Sequence, residues 1–269
     1  MSAFLSVVLL WAMQVGAQTT FPTTVEVDLI FPRNDTYAPS TLFPVVFAFQ
    51  NAALAPSLDP SLSFLLWDNT FDHAKDYKVN LKSTNFTTEP TFVYMFISTL
   101  NTTADGAPAS YSVSWELGQH NCSHHGILPF QNIGGGFRGT GVTFTIANGA
   151  PEPDLVEATT NSTLCTDASY FAFNLTGILD GSSGQYDGRN TCAVLSDVQP
   201  LVDGDPCAVH VDSAAASSIS AALTATACTY DNPVVSCPSK QNAAAADTKT
   251  GFPAMLSGFV AALVAMQLL

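Results

Sequence analysis

Residues 118–126 read Gly-Gln-His-Asn-Cys-Ser-His-His-Gly, which puts His120, His124 and His125 around Cys122 and uses three of the chain's five histidines. Imidazole nitrogen and thiolate sulfur are the ligands zinc prefers, so a metal site is the first chemistry this run suggests. The spacing matches no structural zinc pattern, however. Asn121-Cys122-Ser123 is also an acceptor for N-linked glycosylation, and a cysteine consumed by a disulfide has no thiolate to offer a metal. The run is therefore expected to be a glycosylated loop, with no metal and no cofactor.

Other catalytic signatures fare no better. Gly181 to Gln185 (Gly-Ser-Ser-Gly-Gln) misses the Gly-x-Ser-x-Gly spacing of a nucleophile elbow. Gly134 to Gly139 fits Gly-x-Gly-x-x-Gly in form, but a strand-like Val142–Ile146 follows it where a phosphate cradle needs a helix. Asp203 and Asp205 in Asp-Gly-Asp-Pro-Cys read as a solvated turn or a weak calcium pair. A glycosidase needs two facing carboxylates, and no pair of acids stands out by its context. The rings of Trp67, Trp115, Tyr94, Tyr111 and Tyr186 are available for sugar stacking, although Tyr111 and Trp115 share the apolar face of one alternating strand. No catalytic residue is assigned, and the activity expected is non-catalytic; a carbohydrate-binding module or wall-polysaccharide hydrolase is the alternative.

The compartment is easier to read. Residues 1–17 carry an apolar run from Phe4 to Val15 that ends in Val15-Gly16-Ala17, as a signal peptide does. Residues 241–269 combine small Asn242-Ala243-Ala244, a polar spacer and an apolar tail, the pattern of a glycosylphosphatidylinositol (GPI) signal with attachment at Asn242. Six acceptor sequons stand between them, at Asn34, Asn85, Asn101, Asn121, Asn161 and Asn174. Cys122, Cys165, Cys192, Cys207, Cys228 and Cys237 are an even set in a secretory context, so disulfides are expected with the pairing open. The formal net charge of −14 repels phosphate backbones, and no basic cluster counters it. Nucleic acid is excluded as a partner. The expected partners are wall polysaccharide or another surface protein, with membrane contact only through the lipid anchor.

The elements that would position such residues are strands. Val25, Val27, Leu29 and Phe31 alternate with polar residues, and so do Tyr77-Val79-Leu81, Tyr111-Val113-Trp115-Leu117 and Val142-Phe144-Ile146. Residues 44–50 and 91–98 are apolar on both faces and are expected at sheet centres. Pro/Gly/Asn clusters separate these runs, which predicts an antiparallel immunoglobulin-like β-sandwich over residues 18–150. After a linker-like stretch at 148–163, residues 151–240 hold eleven acids against two bases and carry five of the six cysteines. This acidic, disulfide-stapled region is expected to pack on the sandwich. It contains one short helix, capped by Asp212 or Ser213, with Ile219 and Leu223 on its buried face.

Five segments carry a resemblance: residues 24–39, 43–68, 153–159, 205–228 (Asp-Pro-Cys-Ala-Val-His-Val-Asp onward) and 232–238. In these the chain resembles a fungal family of secreted and cell-surface proteins known as a domain of unknown function. The resemblance implies a fungal extracellular protein, sometimes with such a tail, and implies no activity.

Overall fold

Strands whose side chains alternate between apolar and polar must pair, and in the computed structural model they form two large, mainly antiparallel sheets and a small β8–β9 hairpin. The structure describes residues 19–68, 74–98, 100–123, 126–129, 131–134, 141–161, 163, 169–180 and 189–237. Residues 1–17, expected to be a signal peptide, and His124, His125, Cys165, Tyr186, Asn242 and residues 243–269 lie outside these residues. The strands are β1 (Thr23–Phe31), β2 (Thr36–Tyr37), β3 (Phe43–Gln50), β4 (Ser61–Asp68), β5 (Ala74–Val79), β6 (Thr91–Ile97) and β7 (Ala109–Gln119). They continue as β8 (Cys122–Ser123), β9 (Gly126–Ile127), β10 (Gln131–Gly134), β11 (Gly141–Ile146), β12 (Ser169–Asp180), β13 (Thr191–Leu195) and β14 (Leu201–Val202). Helix α1 (Leu155–Thr160) lies between β11 and β12, and helix α2 (Ser213–Ala227) follows β14.

One sheet runs β13-β12-β1-β3-β6 with β14 beside β12; the other runs β2-β11-β7-β4-β5 with β10 beside β7. The β2–β11 pair is parallel and the remaining pairs are antiparallel. The apolar faces meet through aromatic rings. Phe47 of β3 lies edge-on to Trp115 of β7 at 5.2 Å, Phe43 stacks on Phe144 of β11 at 4.9 Å, and Trp115 meets Phe171 of β12 at 4.7 Å. Trp115 is fully buried, and its indole Nε1–H donates to Ser169 Oγ at 2.7 Å. Edge-on and offset ring pairs of this kind add to the burial term.

Three expectations are corrected. β12, from the region expected to pack on the sandwich, is itself a sheet strand, paired with β1 from Thr23–Leu175 to Leu29–Ser169. The linker-like stretch contains α1, capped by Asp154 and burying Leu155 and Ala158, because a carboxylate at the N-cap satisfies the Val156 and Glu157 amides. Residues 91–97, doubly apolar, form an end strand and not a central one: among the described residues β6 pairs with β3 alone. Its second face is half-buried because α2 packs against β6, with Ile219 and Leu223 buried as expected and Asp212 as the cap.

Two disulfides are resolved, Cys122–Cys192 and Cys228–Cys237, and Cys207 is also disulfide-bonded. They close chain separations of 70 and 9 residues. Loop-closure entropy then contributes about 4 and about 2.5 kcal/mol respectively.

Candidate functional site

At the end of β7 the chain buries Gln119, Asn121 and Cys122, and His120 between them borders a groove of about 470 Å³. The neighbouring wall is built by a 3-10 turn, Ala52–Leu58, which ends at Asp59 in the left-handed region with φ 46°. Aspartate tolerates that region better than most residues, and such conformations persist where surrounding contacts hold them. Here the Asp59 N–H donates to Pro56 O at 3.1 Å, and the His120 N–H donates to Leu58 O at 2.8 Å. His120 Nδ1 consequently stands 3.2 Å from Asp59 Oδ2. Arg189 fixes the same corner, donating from one guanidinium nitrogen to Ser57 O and His120 O at 3.2 and 3.0 Å.

Lys82 and Phe86 line the other side of this groove. In a chain with 22 acids and eight Lys and Arg, a surface that gathers Lys82, Arg189 and His120 beside one carboxylate is exceptional. It offers hydrogen-bonding cationic groups over an apolar wall of Phe86, Pro56 and Pro60, the composition that orients a polar ligand. Asp59 and His120 are both solvent-accessible, so their attraction is modest.

A second cluster was not foreseen. On β1 the side chains of Glu26 and Asp28 face away from the inter-sheet core, where the alternation placed solvent, yet Asp28 is 0% exposed and Glu26 is 5% exposed. Residues 203–205 cover them. The Asp205 N–H donates to Glu26 Oε2 at 2.9 Å, and Gln50 Nε2 bridges Asp28 Oδ2 (3.0 Å) to Asp205 O (3.1 Å). Glu26 Oε1 and Asp28 Oδ1 are buried with no other hydrogen-bond partner, a need that one proton shared between the two carboxyls would meet. Burial, and then the neighbouring Glu26, push the Asp28 carboxyl up to about 9, so it stays protonated at neutral pH. Burial also lowers the Arg33 guanidinium. The sequence signal that existed was the acid pair itself, two residues apart on a strand; nothing local showed that its face would be covered.

Of the histidine–cysteine run, residues 118–123 and Gly126 are among the described residues. Cys122 is joined to Cys192, and among the described residues no three His, Cys, Asp or Glu side chains are placed to hold a metal. Asp203 and Asp205 are exposed. Of the sequons, Asn34, Asn85, Asn101 and Asn161 are exposed and Asn174 is half-buried. Asn121 is only 5% exposed and adjoins the Cys122–Cys192 disulfide. Trp115 is core, Tyr111 is partly buried with its hydroxyl donating to Asn101 O at 3.1 Å, and Tyr94 lines a separate groove.

The molecule is thus a mainly β protein of antiparallel sheets, with a C-terminal helix and disulfides that tie distant segments. The chain belongs to a family described as a domain of unknown function (DUF7136), whose model matches residues 20–237. No curated protein and no solved structure matches the chain.

Proposed function

We propose that the protein is a secreted fungal glycoprotein with a non-catalytic role, held on the outer face of the plasma membrane or in the cell wall by a GPI anchor at Asn242. The observation that carries this reading is the set of closed disulfides, which persist in oxidising compartments and are rare in the cytosol. Four exposed sequons agree with it. The two sheets sharing one aromatic core support an immunoglobulin-like sandwich as the architecture. Treatment of intact cells with phosphatidylinositol-specific phospholipase should release the protein, and mass spectrometry should find it without residues 243–269. Retention of the tail on an unreleased protein would sink the reading.

The Asp59–His120–Arg189 groove favours a second reading, binding of a wall saccharide, since its polar rim and the Phe86 ring suit a sugar. On a glycan array, His120→Ala should then lose the signal of the wild-type ectodomain; a silent wild type ends this reading.

A further inference from the structure

The two sheets end side by side in β5 and β6, the terminal strands of their respective orders. An end strand presents unpaired amides and carbonyls, a template for another chain, and stable proteins cover or blunt it. Beside these two strands lies a groove of about 830 Å³, bounded by Lys78 and Val79 of β5, residues 91–95 of β6, and Ala215 and Ile219 of α2. Phe92 and Tyr94 supply half-buried aromatic surface to it. No described segment of the chain fills this groove.

The loop joining β5 to β6 carries Asn85 at the groove's lining, exposed, followed by Phe86 and Thr87. Asn85 Oδ1 accepts from the Thr87 N–H at 3.2 Å, and Phe86 is anchored on Phe49 at 5.2 Å, so the loop holds the asparagine at that border. We propose that an N-linked glycan on Asn85 is a structural part of the fold: its core sugars lie in the β5–β6–α2 groove and cover the open side of β6. A hexose ring offers a C–H face to Phe92 or Tyr94 and hydroxyls to Ser83, Thr84, Thr88 and Ser218, which line the groove. Such a mixed wall suits a sugar better than an apolar peptide. This inference rests on the secretory reading above.

The test uses the full chain secreted from a eukaryotic host. Thr87→Ala abolishes the acceptor yet keeps Asn85 and the backbone amide that it caps, whereas Thr87→Ser restores the acceptor. Glycopeptide mass spectrometry should find Asn85 occupied in the wild type and in Thr87→Ser. Hydrogen exchange of the amides of residues 91–97 should be about tenfold faster in Thr87→Ala, with Thr87→Ser matching the wild type. Asn34→Gln, which removes a glycan elsewhere, should leave those amides unchanged. Equal protection in Thr87→Ala and wild type overturns the inference. A bare Asn85 with glycans at Asn34 or Asn101 also overturns it and leaves the secretory reading intact. A protein with no glycan at any sequon removes both.

Discussion

The two sheets solve the same problem differently. In the β2-β11-β7-β4-β5 sheet, β4 and β11 alternate between buried and accessible positions, as strands with one wet face do. In the partner sheet, β1 is buried at every position from Val25 to Phe31 and β3 from Phe43 to Phe49. The first sheet is half-covered because water takes its outer face. At its central strands β1 and β3 the second is covered on both faces because residues 203–211, α1 and α2 return over that sheet. A polar side chain at an outward position is therefore harmless in one sheet and must be fully paired in the other.

The comparison can be broken hardest at the surface both sheets share. Trp115→Ala should cost about 3–5 kcal/mol, because it empties the centre of the ring cluster and orphans Ser169 Oγ. Denaturant titration measures this, and a loss below about 1 kcal/mol would mean the sheets do not depend on that contact.

The buried acid pair gives the next effect. The folded-state Asp28 carboxyl is raised from 3.8 to about 9, so between those values the folded chain holds a proton that the unfolded chain releases. The contribution is fully present below pH 3.8 and is lost as pH rises toward about 9, at up to about 1.4 kcal/mol per pH unit. Asp28→Asn imitates the protonated acid, keeping a donor for Glu26 and an acceptor for Gln50. It should flatten the stability profile between pH 5 and 8 by about that slope, whereas parallel profiles would refute the shared proton.

Gly204→Ala sharpens the same contrast. A Cβ there would fall 2.5 Å from the Glu26 carboxyl carbon, so the cover must lift. A loss of about 1–3 kcal/mol is expected, and it should shrink in a Glu26→Ala background if contact is the cause. The smallest effect belongs to the wet sheet. Ser112→Ala removes an exposed hydroxyl pair with Thr143 at 2.9 Å and should change stability by less than about 0.5 kcal/mol. A larger loss would show that this outer face is covered too.

Much of the core was legible in the residues. Val25, Val27 and Leu29, and likewise Val113, Trp115 and Leu117, lie on buried faces as their period of two demands. The cap of α2 at Asp212 was legible for the same reason: a capping carboxylate acts over three residues. Of the candidate groove, only His120 drew attention, and for zinc chemistry that the disulfide at Cys122 removes. Asp59 and Arg189 carried no local mark, since one is 61 positions before His120 and the other 69 after it, and only folding brings them together. Asn121 kept its sequon while its surroundings became buried.

The sequence by itself determined which side of each strand is apolar, that its cysteines suit disulfides, and where a helix must start. These are properties of the pleat, of thiol chemistry and of backbone capping, each settled within a few residues. Only the tertiary structure decided that β12 joins β1, that Cys122 meets Cys192, that residues 91–97 end a sheet, and that Glu26 and Asp28 lose their water. The physical reason is distance along the chain. Alternation says that a side chain points outward, but whether water or protein meets it there depends on Gly204 and Asp205, nearly 180 residues further on.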